Sequence, residues 1–450
     1  LKAHKSGAPS CCPTLRYHFR FSRATDAEIL KAEVSLQEVQ HALALDYGLK
    51  DWKELKACVE TQSTSSTSGG QVHDIIGELI KIAVRDRASD LHIEPMNADV
   101  KVRYRIDGVL HEMPPLSRDV GLAVVDAISR MCKLDMARTH LPRDGRMMLE
   151  VQGRKIDIRV NVSPVIHGNV VAMRLLDRGM VSLSLEALGM EPDQLALYEK
   201  QINAPDGVVL VVGPTGCGKT TTLYATLTAL NDQSRKIMTV EDPVEFALEG
   251  IDQMPIRPQD GLGFEQALRS VLRQAVNVIM AGEIRNVGTA QLLVQCAFTG
   301  HLAFSTLHTN DCPGTLMRLI NMGVEPWLVT DAIRCVVAQR LVREICEHCK
   351  TEYRPESGAF ASLQLSADDR DRPMFRGGGC ERCHQTGYSG RGAIYSIMPM
   401  TSSVARQVMN KDAEAIEAAA TADGWTTLRE AAIRKLLRGE TTVEEVIKFT

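Results

Sequence analysis

The stretch "GVVLVVGPTGCGKTTTLYATLTAL", residues 207–230, constrains the fold of this chain more than any other. An apolar run reads as a buried strand, a glycine-rich loop follows, and the rest reads as a helix. Gly213 and Gly218, with Lys219 and Thr220 after them, have the spacing of a phosphate-binding loop. Glycines let backbone N–H groups crowd around phosphate oxygens, and the helix that follows adds the positive end of its dipole. Lys219 is placed to reach the β and γ phosphates, and the Thr220 hydroxyl to meet Mg²⁺. The candidate nucleotide-binding residues are therefore Gly213, Pro214, Thr215, Gly216, Cys217, Gly218, Lys219, Thr220 and Thr221. Such a strand belongs in an α/β fold, where ligands bind at the carboxyl ends of the strands.

Three further strands carry polar groups at their ends. "RKIMTVEDPVEF" ends in Glu241, Asp242 and Glu245. Three carboxylates at one strand end imply a shared cation, Mg²⁺, or a polarised water, with a solvated acidic loop as the alternative. "QAVNVIMAGEIRN" runs through apolar residues 278–281 and then brings out Glu283, although Ala275-Val276-Asn277 upstream has no carboxylate. "GHLAFSTLH" is bracketed by His301 and His308, which with Ser305 and Thr306 read as γ-phosphate sensors rather than as structural groups. Between these strands, "FEQALRSVLRQ" puts Arg269 and Arg273 at i and i+4, on one helix face. They are either candidates for neutralising phosphoryl charge across a subunit boundary or ordinary surface arginines.

The chain has 450 residues, enough for about three domains. Its 52 basic and 56 acidic side chains leave a net charge of −4, which argues against bulk attraction to nucleic acid or anionic membrane. No apolar run approaches the roughly 20 residues that span a bilayer, and the N-terminus lacks the apolar segment of a secretory signal. The expected location is the cytosol. The first residue is Leu rather than Met, which leaves open whether the chain is complete there.

Residues 1–60 read as a helical hairpin, with capping boxes at Ser35/Glu38 and Asp51/Glu54 and a stop at Gly48. "TQSTSSTSGG", residues 61–70, reads as a flexible linker. Residues 71–178 read as a small α+β domain with an arginine-bearing face. Val102, Tyr104 and Ile106 alternate with Arg103 and Arg105, and Ile156, Ile158 and Val160 alternate with Arg159. A linker is expected over 179–205, the phosphate-loop core over 206–340, a cysteine segment over 341–395 and a helical region over 396–450. In the cysteine segment, Cys346-x2-Cys349 and Cys380-x2-Cys383 have the spacing of a Cys₄ zinc site, with redox pairs or buried thiols as alternatives.

Taken in order, "ASDLHIEP", "RYRIDG", "LPRDGR", "GPTGCGKTTTLYA", "TVEDPVEF", "GEIRN", "TGHLAFSTLHTND", "MGVEPW" and "AQRLVREICEHCK" resemble the type II secretion / type IV pilus assembly ATPase family over residues 72–450. The resemblance implies a RecA-like α/β ATPase domain preceded by the smaller α+β domain, with a zinc-binding loop and a C-terminal helical region. It implies a ring, a homohexamer, that hydrolyses ATP with Mg²⁺ and moves an inner-membrane platform protein adding pilin-like subunits. Such a motor is cytoplasmic and peripheral to the inner membrane.

The resemblance matches Lys219 and Thr220 to the nucleotide loop, and Glu241, Asp242 and Glu245 to an acidic box. Glu283 matches the acid that activates water, and His301 and His308 a histidine box. Arg146 and Arg159 match arginines lent to the nucleotide by the N-terminal domain, and Arg269 and Arg273 paired arginines of the ATPase domain.

The chain departs from the family pattern at several positions. Ala275-Val276-Asn277 replaces Asp-Pro-Asp, Asn286 and Gly288 replace Asp and Glu, and Asn169 replaces Glu. The hairpin and linker stand where a large docking domain is usual. Lost acids near the Mg²⁺ and water network predict slow hydrolysis with Glu283 retained, and Val276 in place of Pro predicts an earlier strand start. A nucleotide-gated adaptor that scarcely hydrolyses ATP is the rival reading. A DNA-translocating ring fits the phosphate loop but neither the zinc segment nor the net charge.

Overall fold

A computed structural model describes residues 66–177, 183–355 and 372–448, together with isolated positions within 25–42 and 363–369. The hairpin expected over 1–60 lies outside the described residues apart from those isolated positions. From Ser66 the chain is helical, in α1 (Ser66–Arg85), so the second half of the expected 61–70 linker belongs to a helix. Ile76, Ile80 and Ala83 of α1 are buried, and a helix anchored by such a face extends back through residues of weak propensity.

The chain divides into two compact units, Leu1–Leu176 and Asp177–Thr450. In the first, β1 (Asp90–Pro95), β2 (Asp99–Ile106), β3 (Val109–Ser117), β4 (Arg143–Val151), β5 (Arg154–Val165) and β6 (Gly168–Asp177) form one sheet. Its order is β3-β2-β1-β6-β5-β4. Alternation along β1 and β2, and the apolar residues of β5, bury Leu91, Ile93, Val102, Tyr104, Ile156 and Ile158 against α1 and α2 (Arg118–Met131). A Cβ on Gly121 would fall 2.3 Å from Val100, so only glycine lets α2 seat this closely on β2. The opposite face carries the arginines, and it is largely ion-paired within the sheet. Arg103 meets Glu94 at 2.5 Å, while Arg105 and Arg174 converge on Asp90 at 3.4 and 3.2 Å.

The second unit is built on β7 (Gly207–Val212), β8 (Ile237–Glu241), β9 (Asp252–Pro255), β10 (Val278–Ala281), β11 (Leu302–Leu307), β12 (Ile333–Ile345) and β15 (Tyr388–Pro399). The sheet order is β15-β12-β7-β11-β10-β8-β9, parallel from β12 to β9, with β15 antiparallel to β12. Every side chain of β7, β10 and β11 is buried, because helices cover both faces. On one face lie α3 (Pro192–Ile202) and α4 (Lys219–Leu230). On the other lie α5 (Phe264–Val271), α6 (Val287–Phe298), α7 (Cys312–Asn321) and α8 (Pro326–Ala332).

The stretch expected as a linker over 179–205 therefore contains a core helix. Tyr198 and Ile202 of α3 are buried, and the Tyr198 hydroxyl meets Thr226 of α4 at 2.7 Å.

The boundaries expected at 340 and 395 both fall inside strands. β12 continues to Ile345 and β15 returns from Tyr388, so the cysteine segment is a lobe on an extension of the core sheet. It includes a small two-stranded sheet, β13 (Lys350–Tyr353) with β14 (Met374–Gly377). After β15 come α9 (Ser402–Asn410), α10 (Ala413–Ala422), α11 (Leu428–Leu437) and α12 (Val443–Ile447). Arg343 of β12 binds Glu445 of α12 at 2.8 Å and stacks over the Tyr388 ring at 3.8 Å. This ties the C-terminal helices to the root of the lobe.

Candidate functional site

Gly213 follows β7 at the carboxyl edge of the sheet, and α4 begins at Lys219. The loop needs its glycines for space as well as for backbone conformation. A Cβ on Gly213 would fall 2.5 Å from the Gln339 carbonyl, and one on Gly218 2.8 Å from the Gln339 amide nitrogen, each at positive φ. Gln339, only 2% exposed, accepts the Thr222 hydroxyl at 2.8 Å and so braces α4 against β12. Pro214, Thr215, Gly216 and Thr220 form an exposed rim, Thr221 is half-buried and Cys217 is buried. The Lys219 ammonium donates to the carbonyls of Gly213 and Pro214 at 2.7 and 3.0 Å. Burial lowers its pKa, the neighbouring Cys217 and Glu283 oppose that shift, and Arg340 reinforces it.

Glu283 emerges just beyond β10, beside His308 at 3.4 Å, and His308 follows the carboxyl end of β11. Arg285 binds Glu283 and also Asp242, the latter at 3.0 Å, and lies 5.8 Å from the Phe264 ring centre. Burial opposes the Arg285 charge, but the two carboxylates outweigh it and raise the pKa. Sequence reading passed over Arg285, although it stands two residues after Glu283. Phosphate loop, Glu283, Asp242 and His308 therefore share one edge of the sheet.

Other expected residues lie elsewhere. His301 precedes β11, whose Leu302 is level with Gly207 and whose Leu307 is level with Val212. At about 3.3 Å per residue, His301 is some 20 Å from the phosphate-loop edge of the same chain. Its Nδ1 sits with Thr299 Oγ1 and the Cys296 carbonyl, at 2.9 and 3.2 Å. Ser305 and Thr306 donate to the carbonyls of Ala281 and Gly282, both at 2.8 Å, and so lock β11 to β10. Of the expected sensor group, only His308 faces the site.

Glu241 is 3% exposed and accepts from Thr239, Gln253 and Tyr224, which suits a positioning group rather than one that touches a reactant. For Glu245, the backbone N–H donates to the Tyr224 oxygen at 3.3 Å.

Arg269 lies exposed on α5, whereas Arg273 falls in the turn after the helix, because α5 ends at Val271. In the first unit, Arg146 and Arg159 are directly opposite across the β4–β5 pair. Arg146 grips the buried Asp157 with Nε, at 2.6 Å, and with Nη2.

The four cysteines converge as expected. Their sulfurs all lie within 4.8 Å of one another, and the Cys346–Cys380 and Cys349–Cys383 pairs are each 3.8 Å apart. Tetrahedral Zn–S bonds of ~2.3 Å place sulfurs about 3.8 Å apart, so the donor set fits zinc. Burial raises the Cys383 thiol, but backbone N–H groups of Cys380 and Gly387 outweigh it and bring its pKa to about 7. His348 is taken by Arg382, and no histidine joins the cluster among the described residues.

A family model described as "Type II/IV secretion system protein" matches residues 65–448. The chain belongs to this family. It is 43% identical over 407 residues to the type II secretion system protein HxcR of Pseudomonas aeruginosa, covering 90% of this chain and 82% of that protein. It is 42% identical over 385 residues to the type IV pilus assembly ATPase PilB of Myxococcus xanthus, covering 84% and 67%. Two solved structures share its fold. The pilus retraction motor PilT with bound ADP superposes at TM-score 0.58 and 21% identity, over 83% of this chain and 96% of that one. The ATPase DotB of Legionella pneumophila superposes at 0.62 and 19%, over 83% and 94%. The fold is thus the RecA-like α/β core with a smaller α+β part.

Within the type II/IV secretion family, the departures of this chain have local explanations. Ala275-Val276-Asn277 precede β10, whereas Glu283 follows it, so the two lie at opposite sheet edges. The Asn277 side chain accepts the Lys236 N–H at 2.8 Å, and its own N–H donates back to the Lys236 carbonyl at 2.8 Å. The acids missing at 275 and 277 are therefore not part of the phosphate-end network, and their loss gives no ground for slow hydrolysis. Nor does β10 start early: Val276 is buried in the core and the strand begins at Val278. Asn286 caps α6 by accepting from Thr289 at 2.9 Å, a task Asn and Asp share. A Cβ on Gly288 would fall 2.3 Å from a Glu265 oxygen, so glycine makes room for that carboxylate. Asn169 has a buried Oδ1 without a partner, and nothing in the structure explains it.

Replacing His308 by Ala should lower ATP turnover at least tenfold, whereas His301→Ala should stay within about threefold of the parent in steady-state assays. Cys380→Ser should lose about one zinc per chain and, with ~10 kcal/mol of local folding energy at stake, render 341–395 protease-sensitive. Metal analysis and limited proteolysis check both effects.

Proposed function

We propose that the chain is an ATP-hydrolysing motor that works as a homohexameric ring and powers assembly of type IV pili or type II secretion pseudopili. The observation that carries this reading is the meeting of the phosphate loop, Glu283 and His308 at the carboxyl ends of β7, β10 and β11. Loop N–H groups and Lys219 bind the phosphates. Thr220, Asp242 and Glu245 would hold Mg²⁺, which supplies charge neutralisation between phosphate oxygens. Glu283 orients the attacking water and takes up its proton, and His308 beside it senses the terminal phosphate. Such a base is typically worth ~10²–10⁴-fold. Arg269 and Arg273, exposed on their helix and turn, are assigned to phosphate charge across the ring boundary. Arg146 and Arg159 are assigned to the nucleotide. The Cys₄ site would hold Zn²⁺ as a closed structural centre.

Among the described residues no helix is long and apolar enough to cross a membrane. That supports a cytoplasmic motor held at the inner membrane by a platform protein. The near-balanced charge supports a protein partner rather than nucleic acid.

One observation favours the alternative, a nucleotide-gated adaptor that hydrolyses little. Arg285 occupies Glu283 and Asp242 together, so the carboxylate that would meet the attacking water is already engaged by another side chain.

Turnover of the assembled ring, with and without membranes containing the platform protein, separates the two. Lys219→Ala should abolish turnover, and Glu283→Gln should cut it about a hundredfold or more while ATP affinity stays within about threefold. A rate unchanged by Glu283→Gln would establish the adaptor. A triple variant that brings back the family's Asp-Pro-Asp, made as Ala275→Asp, Val276→Pro and Asn277→Asp, should change turnover less than about twofold, since that edge is remote from the chemistry.

A further inference from the structure

Glu241 is the carboxylate the proposed chemistry leaves unused. It is 3% exposed, and no cation pairs with it among the described residues. A buried charge of this kind depends on neutral donors, so each donor matters. Thr239 Oγ1 donates to Oε1 at 2.5 Å, Gln253 Nε2 to the same oxygen at 3.1 Å, and the Tyr224 hydroxyl to Oε2.

Two of these donors also hold other groups. Tyr224 stands on α4, five residues beyond Lys219, and its oxygen accepts from the Glu245 N–H and from Gln253 Nε2, both at 3.3 Å. Gln253 stands on β9, and its one amide group reaches both sides of the acidic loop. Its Oε1 accepts the Leu248 N–H at 2.6 Å, and its Nε2 donates to the Phe246 carbonyl at 3.1 Å. The Phe246 ring meets the Tyr224 ring edge-on at 4.8 Å. At the far end of α4, Asn231 donates to the Glu249 carbonyl at 2.8 Å. The loop 242–251 is thus pinned to the helix whose first residues are Lys219 and Thr220.

We propose that Gln253 and Tyr224 are positioning residues that grip Glu241 and hold the acidic loop, with Asp242 and Glu245, in register with the phosphate loop. The reading of the site as an ATPase is assumed here. Neither residue touches nucleotide: their effect passes through the loop backbone. A loosened clamp leaves Lys219 and the phosphate loop intact but misplaces the carboxylates relative to Thr220.

The test uses the full chain and three variants, Gln253→Leu, Gln253→Glu and Tyr224→Phe. Hydrogen exchange in peptides spanning 242–252 should quicken about tenfold in Gln253→Leu, while peptides from 219–230 keep their protection. With ATP and Mg²⁺, kcat should fall about tenfold and KM should move less than about threefold, as when a positioned geometry rather than ground-state binding is lost. Gln253→Glu has the same shape but no donor, and it sets a second negative charge beside Glu241. It should therefore be worse than Leu, whereas a residue that only fills space would tolerate it. Tyr224→Phe removes one oxygen and keeps the ring, so it stays informative if the other variants fold poorly. Combined with Gln253→Leu it should add less than its own separate effect, because both act on one carboxylate.

Unchanged exchange of 242–252 in both Gln253→Leu and Tyr224→Phe overturns the clamp. Quickened exchange with kcat within about twofold of an active parent overturns the positioning role. A parent without turnover overturns the ATPase reading instead, and the exchange pattern alone then decides the clamp.

Discussion

β7 is hydrogen-bonded in parallel to β12 on one side and β11 on the other, and all six of its residues are buried. A strand held this way cannot slide or tilt without breaking two ladders and opening two hydrophobic layers. The point where the chain leaves it, at Gly213, is therefore fixed, and with it the start of α4. β10 and β11 run in the same direction in the same sheet, so their carboxyl ends deliver Glu283 and His308 to that edge. The proposed hydrolysis needs groups that stay in place while phosphate charge shifts, and the buried sheet supplies that rigidity.

Bracing continues around the loop. Gln339 presses on Gly213 and Gly218 from β12, the hydroxyls of Ser305 and Thr306 tie β11 to the end of β10, and Arg285 spans Glu283 and Asp242. Ser305, Thr306 and Arg285 each occupy a backbone or carboxylate oxygen that would otherwise lie bare at a crowded strand end, whereas Gln339 accepts the Thr222 hydroxyl.

Much of this is legible in the sequence, and two of the mismatches share a cause. The strand–loop–helix, the two CxxC pairs and the alternating strands of the first unit are local patterns whose spacing carries their geometry. His301 and Ala275–Asn277 precede their strands, and flanking a strand is not the same as facing the phosphate-loop edge. In a parallel sheet, residues before a strand lie at the opposite edge from residues after it, and that rule alone separates His301 from His308. The Tyr224–Glu241–Gln253 contacts had no comparable signal. Their partners lie 17 and 12 residues from Glu241, on a helix and a strand that only the folded sheet brings together. The expected linkers failed differently. The helix Pro192–Ile202 is polar enough to read as a tether, yet Tyr198 and Ile202 pack into the core, and residues 66–70 continue the backbone of a helix whose buried face lies further on.

β12 is the longest strand of the second unit, and its length joins two places that the sequence presents as separate. Gln339 rests against the phosphate loop, and Cys346 lies seven residues further along the same backbone, roughly 23 Å at ~3.3 Å per residue. β15 runs beside it through that interval, with one irregularity near Arg343, and α12 clasps it through Glu445. The cysteine lobe is consequently a cantilever on the strand that borders the phosphate loop. A load on the lobe would fall as tension on one extended main chain and as shear across its ladder, with strand rather than loop leading back to the residue beside Gly218.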